Sequence, residues 1–359
     1  MQQSGAKRRA ASEQGEPKRP AGKLVGLDIG YGYTKIAFHD GSRQLFPSAV
    51  AAIAPGTVEQ YGASVADDEV EVDTIRCIVG HRAIAHPDRF DNLHSVWWIL
   101  PQYRALLSQA AKFIPPQSTV VTGLPLQAYI APQSKELVKT LVKTALKAKR
   151  VFVAPQGVGA YYYEYGQSAE CTDHHKIAIV DIGTRTTECV AMAGRENLAN
   201  QSAGLDLGVS DIYVTVAREL SDKLERHVDP YEVEGVIRRE REIRAQGRGY
   251  DPQSIESRVA QLAAARASDI RHRLVGLWGE RAPEFELVIF CGGGAHLLFP
   301  SLKSYREGAV LLPEAQFANA LGFLAIAAIV APEEAMADPH DNGGQVPSAE
   351  PAGGSLIAG

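Results

Sequence analysis

The chain has 359 residues, of which 45% are hydrophobic and 22% charged, with a formal net charge of −5. That length exceeds one ordinary core and suits two lobes of similar size, and the composition excludes a largely disordered chain. A mildly acidic net charge creates no global field for a polyanion, which argues against nucleic acid as the main ligand and leaves only local basic patches open.

Residues 1–22 are rich in Lys, Arg, Ser, Gly and Pro, with no apolar stretch of the kind a secretory signal needs, so a disordered tail is expected. Its clusters Lys7-Arg8-Arg9 and Lys18-Arg19 are read as solubilising charge. Lys23 to Ile29 reads as a buried strand that turns through glycines into a second strand over Thr34–Phe38. Ser118–Gly123 is strand-like and ends at Leu124-Pro125. Ser134 is placed to cap a helix running to about Lys149, with Leu137, Leu141 and Ala145 on its inner face. Lys135, Lys139, Lys143 and Lys147 fall four apart on that helix; a solvated face is the ordinary reading of such a stripe, and a partner or filament contact the alternative.

Val151–Ala154 makes a short strand, and Lys176–Asp181 opens a second half that repeats the first. In each half a strand ends in Asp-Ile-Gly and continues into another strand, about 150 residues apart, as expected of two lobes built alike around a cleft. Val209–His227 reads as a helix broken by Asp229-Pro230. Tyr231–Ala245 and Ser254–Trp278 read as further amphipathic helices, the latter with Ile255, Val259, Leu262, Ile270, Leu274 and Leu277 in register. Glu286–Phe290 is a last buried strand running into Cys291-Gly-Gly-Gly-Ala295. A helix near Phe317–Val330 closes the ordered part, and residues 333–359 form a second tail. No run of eighteen apolar residues is present to cross a bilayer, so a cytoplasmic protein is expected.

Three segments carry candidate chemistry. In Asp28-Ile-Gly-Tyr-Gly-Tyr-Thr-Lys35, glycines let backbone N–H groups approach phosphate oxygens, Asp28 can hold a Mg²⁺-bound water, and Lys35 can reach a phosphate. Asp181-Ile-Gly-Thr-Arg-Thr-Thr-Glu188 offers the same chemistry from the other half, with Asp181 as a second carboxylate. Cys291-Gly-Gly-Gly-Ala295 leaves bare backbone at the end of a strand, where α/β folds bind ligands. Each alone is also an ordinary turn; two such loops facing each other would enclose a triphosphate. Cys77, Cys171, Cys189 and Cys291 have no paired spacing and read as reduced structural thiols. His174-His175 lacks a spaced third ligand, and Trp97, Trp98 and Tyr103 read as core before interface.

The order of these segments resembles the actin, sugar-kinase and chaperone ATPase superfamily. Val121-Thr-Gly-Leu-Pro-Leu126, Gly204-Leu-Asp-Leu-Gly208 and Ala318-Asn-Ala-Leu-Gly-Phe323 look closer to the plasmid-partition actins (ParM) and archaeal actin-like proteins, over about residues 23–330. The resemblance implies an α/β actin-like, ribonuclease H-type fold. Its first lobe would span 23–170, with a subdomain near 50–95, and its second 171–332, with a subdomain near 206–284. It implies a Mg-ATPase, with GTP as an open alternative, that polymerises with itself for plasmid or other DNA segregation. DNA would be held through an adaptor protein, without sequence-specific or membrane contacts of its own. It assigns Asp28, Gly30, Tyr31, Gly32, Tyr33 and Lys35 to the first phosphate loop and Gly183, Thr184, Arg185, Thr186 and Thr187 to the second. Gly204, Gly292, Gly293, Gly294 and Ala295 fall to the rest of the nucleotide. Asp28 and Asp181 would hold Mg²⁺ through water, and Gln156 with Asp181 would be catalytic, the glutamine orienting the attacking water. Thr184 stands where a second glycine is common, and Glu188 where an aspartate is usual. A small-molecule kinase, with Asp67, Asp68, Asp73, Asp88 or Asp91 as base, and a chaperone-like ATPase are the competing readings.

Overall fold

The computed structural model describes residues 24–54, 67–90, 96–165, 175–245 and 247–332. The two expected tails, Asp91, Cys171 and His174 lie outside these residues. The first half runs β1 (Leu24–Ile29), β2 (Tyr33–Phe38), β3 (Arg43–Pro47), β4 (Val50–Ala52), β5 (Glu69–Val72), β6 (Ile75–Val79), then α1 (His81–Ile84), α2 (Pro101–Ala110), β7 (Thr119–Leu124), α3 (Leu126–Ile130), α4 (Pro132–Leu146), β8 (Arg150–Pro155) and α5 (Val158–Glu164). The second half runs β9 (Lys176–Ile182), β10 (Thr187–Ala193), β11 (Glu196–Asn197), β12 (Ala203–Leu205), α6 (Ser210–Leu224), α7 (Pro230–Ile237), the ribbon β13 (Arg244–Ala245) and β14 (Arg248–Gly249), α8 (Pro252–Trp278), β15 (Leu287–Cys291), α9 (Ala295–Leu302), β16 (Val310–Leu311) and α10 (Ala318–Val330).

The repeat read in the sequence is a repeat of topology. One sheet has the order β3-β2-β1-β7-β8 and the other β11-β10-β9-β15-β16, each with an antiparallel hairpin side and a parallel side. β1 and β9 are central and buried along their length, which is why both read as unbroken apolar runs. Their C-terminal ends carry Asp28 and Asp181.

Two helices join the sheets by exchange. α5 leaves β8 of the first sheet and buries Val158, Ala160 and Tyr161 against Ile177, Ile179 and Ile289 of the second. α10 follows the second sheet and buries Phe323 and Ala327 against Leu24 and Val121 of the first. The helices pack on each other at Gly159 and Gly322, and a Cβ at Gly322 would overlap the Gly159 carbonyl.

Several expectations need correction. α4 begins at Pro132, with Ala131 rather than Ser134 at its cap, and its buried face is Val138, Val142 and Leu146, while Leu137 is exposed. Both apolar rows share the helical period, and only packing chose between them. Asp229-Pro230 initiates a helix as well as ending the previous region. The Asp229 side chain accepts from Tyr231 N, Glu232 reaches back to Asp229 N, and Pro230 suits the first helical position. That helix stops at Ile237, because Arg239 adopts φ +60°, so the expected helix to Ala245 is short and a ribbon follows. Trp97, Trp98 and Tyr103, by contrast, are core as expected: Trp97 stacks under Tyr31 at 5.0 Å and meets Tyr103 edge-on at 5.3 Å. Among the described residues no helix is long and apolar enough to cross a membrane.

The tight crossing of α5 and α10 yields a prediction. Gly322→Ala forces the helices apart and should destabilise the fold by about 1–3 kcal/mol, the usual cost of overpacking, read as a lower urea midpoint. An unchanged midpoint would show that the crossing is not tight.

Candidate functional site

The ends of β1 and β9 turn in the same way. Gly30 N–H donates to the Tyr33 carbonyl at 3.1 Å, and Gly183 N–H donates to the Thr186 carbonyl at 2.8 Å, each closing a three-residue step into the next strand. The two turns face each other across one crevice of about 550 Å³, including its open part. Asp28, Gly30, Tyr31, Gly32, Tyr33, Lys35 and Gln156 line it from one half, and Asp181, Gly183, Thr184, Thr186, Gly292 and Gly293 from the other.

Both carboxylates are buried, Asp28 at 3% and Asp181 at 7% exposure, and neither stands alone. Lys35 Nζ donates to Asp28 Oδ2 at 2.9 Å and Gln156 Nε2 donates to Asp28 Oδ1 at 2.9 Å. Asn319 Nδ2 donates to Asp181 Oδ2 at 2.7 Å. Burial pushes the Asp181 carboxyl up to about 6, the Asn319 hydrogen bond opposes this, and the charge of Asp28 raises it further. Two acids in mutual repulsion inside one crevice create a demand for positive charge.

A hydrated Mg²⁺ fits this donor set. Among the described residues there is no group of three or more acidic, His or Cys side chains able to cage a metal. Mg²⁺ typically keeps several waters and takes one or two carboxylates plus phosphate oxygens. Gly292, at φ +91°, has no room for a Cβ, which would strike Asp181 Oδ1 and the Ile182 carbonyl.

Not every assigned residue meets the crevice. Arg185 lies over the Tyr31 ring at 5.4 Å, and Thr187 Oγ1 donates to the Leu207 carbonyl from a buried position. Gly204 lies against the Glu188 carboxylate in a neighbouring pocket, Gly294 packs on Val209 and Ile182, and Ala295 is buried. These five do not line the crevice and sit beside or behind its loops. Asp67, Asp68, Asp73 and Asp88 do not line the crevice either; Asp68 pairs with Arg82 and Asp73 with Arg104.

Three lining residues were missing from the sequence assignment. Asn319 binds Asp181, and its Oδ1 accepts from Gly157 N at 2.9 Å, so one side chain fixes both a carboxylate and the Gln156-Gly157 turn. Its signal was a lone amide in the first turn of an otherwise apolar helix. Gln316, just before that helix, has no such signal. Glu188 was noted only as a departure. At 2% exposure, its Oε2 accepts from Leu126 N at 3.1 Å, so the extra methylene carries a carboxylate of the second half to the first. Thr184, the other departure, does not adopt a positive φ; its hydroxyl fills the space a Cβ on Gly32 would occupy.

A crevice between two sheets of matching topology, each offering a buried aspartate and a glycine turn, defines the actin-like class. The model for the actin-like protein N-terminal domain matches residues 26–159, and that for the C-terminal part of archaeal MreB-like actin homologues matches 179–304. The two models together span most of the chain, which belongs to the actin-like superfamily. It is 24% identical to archaeal actin homologs of Thermoplasma volcanium and Thermoplasma acidophilum, over 84% of this chain and 97% of each relative. Its fold matches a 15-stranded ParM filament from Clostridium botulinum with TM-score 0.68 and 22% identity, over 85% of this chain and 98% of that one. An archaeal actin homolog in complex with ADP matches with TM-score 0.68 and 20% identity, over 85% and 99%.

Burial of Glu188 gives a pH prediction. Desolvation, opposed by the Leu126 N–H and reinforced by Asp181, pushes its carboxyl up to about 7. The folded protein then binds this proton more tightly than the unfolded chain, so the group's contribution to stability is lost as pH rises from its ordinary value through 7. The thermal midpoint of the ligand-free protein should rise when pH is lowered from 8 to 6. Glu188→Gln, which keeps the acceptor for Leu126, should flatten that dependence. A parent and variant with the same pH slope would contradict it.

Proposed function

We propose that the crevice binds Mg-ATP between the two halves, that the protein hydrolyses it, and that nucleotide state controls self-assembly into filaments acting in DNA segregation. The observation that carries this reading is the convergence of Asp28, Lys35, Gln156 and Asp181 from both halves on one crevice. Lys35 and the glycine turns bind the β- and γ-phosphates, and Asp28 and Asp181 hold the hydrated metal. When bound, Mg²⁺ neutralises phosphate charge and orients the terminal phosphoryl group.

Gln156 orients the attacking water, and positioning is most of what a protein supplies in phosphoryl transfer. The Gln156 amide donates to Asp28 Oδ1 at 2.9 Å. Lys35 and Gln156, which donate to Asp28, are the side chains that would exchange this partner for the nucleotide's phosphates and the attacking water. Closure of the halves follows from differential contact with the γ-phosphate, because a ligand that bound open and closed states equally would shift nothing. Hydrolysis removes that contact and the filament weakens. The filament-forming ParM relative supports self-association, and the ADP complex of the archaeal relative supports a nucleotide in the crevice. A separate adaptor protein supplies recognition of specific DNA, and GTP is the competing nucleotide.

Sedimentation with and without Mg-ATP tests this. The parent should pellet with Mg-ATP and return to solution as nucleotide is consumed, with Mg-GTP run in parallel. Gln156→Ala should pellet but hydrolyse on the order of 10²-fold more slowly and persist. Asp181→Ala should show no Mg-dependent nucleotide binding by calorimetry. Turnover stimulated by a sugar, without pelleting, would overturn the proposal in favour of a kinase.

A further inference from the structure

The lysine stripe on α4 is not used by the crevice. Between residues 96 and 165 the chain carries eight Lys or Arg and only two Asp or Glu, within a protein of net charge −5. Four of the eight are Lys135, Lys139, Lys143 and Lys147, and Lys139, Lys143 and Lys147 are exposed. Glu136 is the one acid on α4, about 4.0 Å from Lys139. The elements packed around α4, namely α2, α3 and β8, contain no acidic residue. Among the described residues no carboxylate pairs with Lys143 or Lys147.

Helix stabilisation does not account for the stripe. Cations favour the last turn of a helix, where Lys143 and Lys147 sit, but Lys135 stands near the N-terminus, where the first turn has no acid. Nor does the stripe resemble a protein interface, which centres on aromatic or apolar anchors. The exposed side chains beside the lysines are Glu136, Thr140 and Thr144, while exposed Leu137 lies on the opposite flank from Lys139, two residues away.

We propose that the exposed face of α4 docks on the phosphate backbone of duplex DNA without reading its sequence. A step of four residues advances about 6 Å and turns about 40°, so the lysines form a winding row of about 18 Å in which Lys135 lies over the Tyr129 ring at 4.5 Å and Lys139, Lys143 and Lys147 face solvent. One DNA strand presents a phosphate about every 3.4 Å along the axis, so the three exposed lysines, about 12 Å from end to end, span about three or four phosphates. Lysine acts as a compact point charge that tolerates variable phosphate positions, and the exposed Thr144 hydroxyl adds a donor. The stripe has no Asn, Gln or Arg arranged to read base edges. The docking needs no nucleotide in the crevice, so it stands or falls separately from the proposed function.

The test uses the full ligand-free chain and a fluorescein-labelled duplex of about 30 base pairs of arbitrary sequence, read by anisotropy at several salt concentrations. The parent should bind at low salt and weaken steeply as salt rises. Lys139→Gln/Lys143→Gln/Lys147→Gln should bind at least about tenfold more weakly and lose about 2–3 units of the log–log salt slope, roughly 0.9 per phosphate contact. Its thermal midpoint and calorimetric Mg-ATP affinity should match the parent. An unrelated duplex should displace the probe better than polyglutamate of equal charge. No binding at low salt, an unchanged slope in the triple variant, or stronger displacement by polyglutamate would overturn the proposal. All variants retain Lys7, Arg8, Arg9, Lys18 and Arg19, so binding through those residues would appear as the unchanged slope.

Discussion

Asp28 and Asp181 are taken out of water at the ends of two central strands and face one crevice, where their charges repel. Burying two carboxylates is unfavourable unless each is hydrogen-bonded or matched by positive charge. Lys35 and Gln156 answer Asp28, and Asn319 answers Asp181. Much of the surrounding architecture serves these contacts. Asn319 holds its position because α10 packs across to the first sheet, and Gln156 because the turn after β8 is pinned by Leu124 and Asn319. The two buried carboxylates are thus held by partners from three separate segments, β2, the turn after β8 and α10.

The two halves touch at more than α5 and α10. Arg89 of the first half pairs with Asp229 of the second at 2.7 Å, and Arg43 with Glu314 at 2.7 Å. Arg238 lies 4.8 Å over the ring of Tyr33, and Glu188 accepts from Leu126 N. Tyr31 and Tyr33, side chains of the first glycine turn, therefore point at cations of the opposite half. Polar contacts thus join the halves around the crevice: the exposed Arg43–Glu314 pair contributes little in water, whereas Arg89–Asp229 and the Glu188–Leu126 bond are largely buried.

Much of this was legible in the sequence, for identifiable reasons. β1 and β9 are buried on both faces, so they read as apolar runs, and their Asp-Ile-Gly ends repeat because the topology repeats. The glycine turns stood out as bare backbone after a buried strand, and the family resemblance singled out Gln156; the structure brings these residues to one crevice. What stayed hidden depends on long-range packing. The choice between Leu137 and Val138 as the inner row of α4 is set by the neighbouring sheet, and the end of α7 by the single positive φ at Arg239. Asn319 lies 138 residues from Asp181, and no local pattern joins them. Thr187, Gly294 and Ala295 belong to the right motifs but face the core, since alternate residues of a strand, and the residues after a tight glycine turn, point away from the ligand side.

The central claim is that the two glycine turns act on one ligand. Amide hydrogen exchange with and without Mg-ATP tests it most directly, because each turn reports separately. The account predicts slowed exchange in residues 30–35 and 183–188 together, with the same dependence on nucleotide concentration. Protection confined to one turn, or protection of the two at different concentrations, would mean that they do not share a ligand.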